Sequence, residues 1–116
     1  MNLSRILNIL LITFTAFTLF ACGLFGSKDD ELISDHLKDG WQSFSEKQYN
    51  DAIDSFIEAL NIDGKNMEAN VGIGWSSILL DETNKISEAE EYLTKCINDE
   101  SWKVDAYSGL ALIKFY

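Results

Sequence analysis

The sequence predicts an all-α protein of helical hairpins behind a hydrophobic leader, on three observations. Among its 116 residues there is no proline, while leucine, isoleucine and alanine are plentiful, a composition that favours helices. Apolar residues recur at helical spacing along the acidic part of the chain, with no sustained alternation of the kind strands need. Short stretches also repeat at intervals of 34 and 37 residues, and a period in that range signals stacked repeat units.

The leader comes first. Met1 to Arg5 is a short, mildly positive head, and Ile6 to Ala21 contains no charge. That order of regions is the order of a secretory signal peptide. In "TLFACGLFGSKDD" a thiol, Cys22, stands between this oily run and an acidic chain. The ending Leu19-Phe20-Ala21-Cys22 resembles the lipobox of bacterial lipoproteins. The resemblance implies cleavage after residue 21, lipid on Cys22, and residues 22–31 as a tether with flexible Gly23 and Gly26. Gly23 after the cysteine is then compatible with passage to an outer membrane, facing the periplasm. The alternative is an uncleaved anchor, since the uncharged run from Ile6 to Ser27 could cross a bilayer.

Five helices follow, expected at 29–46, 50–61, 66–80, 87–98 and 102–116. In the first, Leu32, Ile33, Leu37, Trp41 and Phe44 recur at helical spacing. In the second, Ile53, Phe56, Ile57 and Leu60 form one face, and Asp51, Asp54 and Glu58 the other. Asn50 suits its N-cap. Gly64 is expected to end it and Asn66 to start the third. Ser87 with Glu90 reads as a capping box for the fourth. The fifth, "SWKVDAYSGLALIKFY", is largely apolar, which leaves two readings: it packs on another molecule, or the array continues past it.

The helices pair by repetition. Gly40-Trp41 recurs as Gly74-Trp75, 34 residues on, and "YNDAIDSFIEAL" aligns with "ISEAEEYLTKCI" 37 residues on. Ala52 falls on Ala89, Phe56 on Leu93, Ala59 on Cys96, and "EANVGIG" aligns with "DAYSGLA" at the same offset of 37. The three extra residues are expected in a turn inside "LLDETNKI". This order of small and large residues resembles tetratricopeptide repeats over residues 32–116, about two and a half units, with Gly64 where the family carries proline. In that family the first helix of each pair lines a groove that holds peptides or partner helices. The resemblance therefore implies a groove of Leu37, Trp41 and Phe44, matched by Val71, Trp75 and Ile78. The competing reading packs both tryptophans against the adjacent repeat.

Chemistry is sparse. The single histidine, His36, has no second histidine or cysteine at ligand spacing, so neither a metal site nor a catalytic triad is expected. Cys96 falls where the first unit has Ala59 and reads as a packing thiol. No phosphate loop and no cofactor motif occurs, and an enzyme is not expected. The formal net charge is −10, and beyond residue 21 eight lysines face 19 carboxylates. Such a surface repels nucleic acid. What remains is a lipid-anchored interaction module at a bacterial envelope membrane, with a protein or peptide partner. The alternatives are an obligate subunit of an envelope complex and the N-terminal part of a larger envelope enzyme.

Overall fold

The computed structural model describes residues 27–115. The expected signal peptide, Cys22 and the first part of the tether lie outside the described residues. The chain divides into two units between Glu31 and Leu32, and the packing of helices set out below belongs to the second.

Five helices make up the described chain: α1 Lys28–Ser45, α2 Tyr49–Ile62, α3 Met67–Leu80, α4 Thr83–Thr94 and α5 Lys103–Ile113. No strand occurs among the described residues. Asp29, Asp30 and Glu31 occupy the first turn of α1, where carboxylates complement the helix dipole. The last residues expected in the tether are thus helical. α2 packs on α3, α3 on α4, and α5 on both α3 and α4. α1 joins through Ile33, Leu37, Trp41 and Phe44, which lie against a core of Ala52, Ile53, Phe56, Ala59, Ala69 and Ile73.

The packing repeats at the sequence offsets. Phe56 of α2 inserts between Gly40 of α1 and Gly72 of α3, where an added Cβ would stand 2.6 and 2.5 Å from its ring. Leu93 of α4 inserts between Gly74 of α3 and Gly109 of α5, where the same addition would come within 2.5 and 2.6 Å. A bulky side chain held between two glycines lets three helices approach closely.

The turns repeat as well. Lys47 and Asp81, 34 residues apart, both adopt positive φ, 61° and 55°. Each directs its N–H to a carbonyl three residues back, Phe44 at 3.0 Å and Ile78 at 3.2 Å. These left-handed residues end α1 and α3. Gly64 does not have that role: no described glycine has positive φ. α2 ends instead at Asp63, extended at φ −127°, whose Oδ1 accepts the Lys65 N–H at 3.0 Å.

Two of the expected caps are displaced and one stands. Asn66 accepts the Ala69 N–H at 2.9 Å and caps α3. Asn50 lies inside the first turn of α2, which starts at Tyr49. Ser87 and Glu90 lie within α4, which starts four residues before Ser87, at Thr83. Tyr49 aligns with Ile86, so the three extra residues Thr83, Asn84 and Lys85 form the first turn of α4 and not a loop. They extend the helix because Asp81 has already turned the chain. α4 ends at Thr94, earlier than expected, and runs on in turns to Asn98. Asp99 Oδ1 then accepts the N–H groups of Ser101 and Trp102 at 2.9 and 3.1 Å before α5 begins.

Candidate partner-binding surface

The six residues expected in a groove separate into two sets. Leu37, Trp41, Phe44 and Trp75 are half-buried. Val71 and Ile78 are only 1% exposed, and no partner can reach them while the helices stay packed. Their place in a groove is corrected accordingly. α3 has α2 on one side and α4 and α5 on others, so the stripe that would face a groove is covered. Val71 packs with Cys96 and Ala106, and Ile78 with Ala89 and Leu93. A signal for this was present: from Ala69 to Leu80 α3 carries no charge, and a helix without a polar face is a buried helix.

Trp41 is held from several directions. Its ring meets Phe56 edge-on at 5.0 Å between centroids and Phe44 at 5.5 Å, and Phe44 meets Tyr49 at 5.7 Å. Such T-shaped contacts suit the aromatic quadrupole. The indole N–H donates to Glu68 Oε1 at 2.8 Å, joining α1 to the first turn of α3. Glu68 is the only charged residue of α3, and the sequence reading gave it no role. Trp75 sits at the junction of the two later core clusters, against Val71, Cys96 and Ala106 on one side and Ile78, Ala89 and Leu93 on the other. It forms no counterpart of the Trp41 bond among the described residues. Asp105, which aligns with Glu68, is shorter by one methylene.

The remaining reactive groups are structural in their surroundings. Cys96 is fully buried, with Sγ 3.5 Å from the Met67 carbonyl oxygen and 3.6 Å from that of Tyr92. Burial, and secondarily the charge of Asp99, push its thiol up to about 11, against a smaller opposing effect of Lys95. Asn70, also buried, donates from Nδ2 to the Asn66 carbonyl at 2.7 Å. Among the described residues no three His, Cys, Asp or Glu side chains could hold a metal ion, and no helix is long and apolar enough to cross a membrane.

Exposed apolar surface concentrates on α5 and the turn after it. Val104 is 69% exposed, Tyr107 57% and Phe115 88%. A groove of about 310 Å³ runs between Glu90 and Thr94 of α4 and Tyr107, Leu110, Ala111 and Ile113 of α5. Comparison with protein-family models, with curated proteins and with solved structures finds no match to this chain.

Proposed function

We propose that the chain is a membrane-anchored interaction module, a tetratricopeptide-like array held by lipid on Cys22 at a bacterial envelope membrane, where it recruits or scaffolds protein partners. The observation that carries the reading is the recurring packing unit. Gly40, Phe56 and Gly72 across α1, α2 and α3 are matched by Gly74, Leu93 and Gly109 across α3, α4 and α5. Stacked helix pairs of this kind build extended surfaces suited to protein partners. The half-buried Leu37, Trp41 and Phe44, with Trp75, are the aromatic and aliphatic positions that such a surface offers, and buried aromatics often dominate interfaces. No catalysis, cofactor or metal is assigned to it.

The anchor rests on the lipobox-like Leu19-Phe20-Ala21-Cys22. Each buried methylene contributes about 0.8 kcal/mol, so two or three acyl chains hold a protein firmly at a membrane surface. Metabolic labelling with a fatty-acid analogue tests it. The unaltered protein is expected to take up label and Cys22→Ser to lose it, together with maturation; equal labelling of the two would remove the anchor from the proposal. A second reading, an obligate subunit of an envelope complex, is favoured by the exposed apolar face of α5.

A further inference from the structure

On both hairpins the first helix presents three positions to its partner helix, which covers them fully on α3 and in part on α1. On α3 these are Val71, Gly74 and Ile78: Val71 packs with Cys96, Gly74 lies under Leu93, and Ile78 packs with Ala89 and Leu93. On α1 they are Leu37, Gly40 and Phe44, set against the core that holds Ala52, Phe56 and Ala59. The same alignment carries these positions onto Ser108, Ala111 and Phe115, which are all exposed. Phe115 lies just past α5, in a turn whose N–H reaches the Leu112 carbonyl at 3.0 Å. No described residue lies over this stripe. It is a face of the kind that receives an antiparallel helix.

Two features select the occupant. At Gly74 an added Cβ would stand 2.5 Å from Leu93, so a helix built like α2 or α4, bulky at its centre, needs glycine beneath it. α5 has Ala111 there, and such a helix cannot seat at the same depth. A helix with a small residue at its centre can. The stripe on α5 is also its own complement when read backwards. Ser108 and Ala111 are small and central, Val104 and Phe115 are large and lie at equal distances on either side. In an antiparallel two-fold pair Ser108 comes level with Ala111 of the second copy, and Val104 with Phe115 of the second copy. A two-fold contact requires that reciprocity.

We propose that the outer face of α5 is a self-association surface, on which a second copy of this chain lays its own α5 antiparallel, with Ser108 and Ala111 beside the two-fold axis. Close approach at small residues lets the flanking Val104, Tyr107 and Phe115 side chains bury against the opposite helix, which removes the largest exposed apolar surface of the described chain from water. This deepens the interaction-module reading by naming one partner.

Cysteine cross-linking of the full chain in its membrane tests the assignment. Under mild oxidation Ala111→Cys, beside the axis, is expected to yield a disulfide-linked species of twice the mass. Asp105→Cys, exposed on the same helix but off the stripe, should yield far less, and the unaltered chain gives the background from Cys22 and Cys96. In a second measurement, Ala111→Arg should weaken self-association of the detergent-solubilised full chain by about tenfold or more, since it forces a charge into an apolar contact. Its helical circular dichroism should be unchanged, because Ala111 is exposed. Equal cross-linking at the two positions, a monomer at about 100 µM, or a species linked through residue 111 to a different polypeptide would each overturn the proposal. A monomer that still meets other envelope proteins overturns self-association alone, whereas the fatty-acid experiment bears on the anchor alone.

Discussion

Lys47 and Asp81 show how a single backbone angle organises a hairpin. A left-handed conformation costs an L-residue about 1–2 kcal/mol relative to glycine, and Asp bears it better than Lys because its short polar side chain suits that region. Lys47→Gly is therefore expected to stabilise the protein by about 0.5–1 kcal/mol, read as a higher melting temperature, with a smaller gain for Asp81→Gly. Cys96 tests burial at the same scale. Burial moves the ionisation of its thiol in the folded protein up to about 11, from 9.0 ordinarily. A raised thiol pKa means its contribution to stability is complete below pH 9.0 and is lost as pH rises towards about 11. Cys96→Ala should flatten that part of the pH–stability curve, and the native thiol should react with a disulfide reagent at pH 8 only as fast as the protein unfolds. Trp75 carries the third expectation. Truncation of a fully buried tryptophan costs about 3–5 kcal/mol. The half-buried ring of Trp75 should cost somewhat less, about 2–4 kcal/mol, since it seals two core clusters on one side and meets solvent on the other. A near-normal melt of Trp75→Ala would show that the ring contributes little to packing.

At the scale of elements, the hairpins are held by the insertion of one bulky side chain between two glycines. Gly72→Ala improves intrinsic helix propensity by roughly 1 kcal/mol. It also drives a Cβ to within 2.5 Å of the fully buried Phe56 ring, and overpacking of this sort costs about 1–3 kcal/mol. The overpacking wins, because Phe56 is also held from the other side by Gly40 and has nowhere to move. A net loss of up to about 2 kcal/mol is expected in thermal melts. Gly64→Ala is the control: its φ is not positive, and the nearest atom to an added Cβ is the Leu60 carbonyl oxygen at 3.8 Å. That substitution should be close to neutral. If both variants melted alike, the inserted-ring account of the hairpin would be wrong.

At the largest scale, the helices of the described residues pack against helices near them in sequence: α2 on α3, α3 on α4, and α5 on both α3 and α4. Electrostatics works against that packing. The formal net charge is −10, while the ion pairs among the described residues are Lys85–Glu88, Lys95–Glu91 and Lys103–Glu100, each only three or four positions apart. Local surface pairs contribute little, and self-repulsion of the remaining carboxylates destabilises the folded state. Raising ionic strength from about 0.01 to 0.15 M shortens the screening length from about 30 to 8 Å and should raise the melting temperature. A fall with salt would mean that the three pairs outweigh the repulsion.

What the sequence determined by itself is whatever depends on local order. Helical periodicity marks five helices, and the offsets of 34 and 37 align Gly40 with Gly74 and Phe56 with Leu93. The Asn66 cap was legible because a cap needs only its own first turn. Other features rest on what stands next to an element. The three extra residues of the second unit could equally have formed a loop; they became the first turn of α4 because Asp81, and not a glycine, had already reversed the chain. Val71 and Ile78 occupy the same stripe as Leu37 and Phe44, yet they are buried while the others stay half-open. Periodicity states which side chains share a face of one helix, but solvent reaches that face only where no neighbouring helix stands. Among the described residues α3 is enclosed by α2, α4 and α5 while α5 meets only α3 and α4, and only the tertiary structure decides that difference.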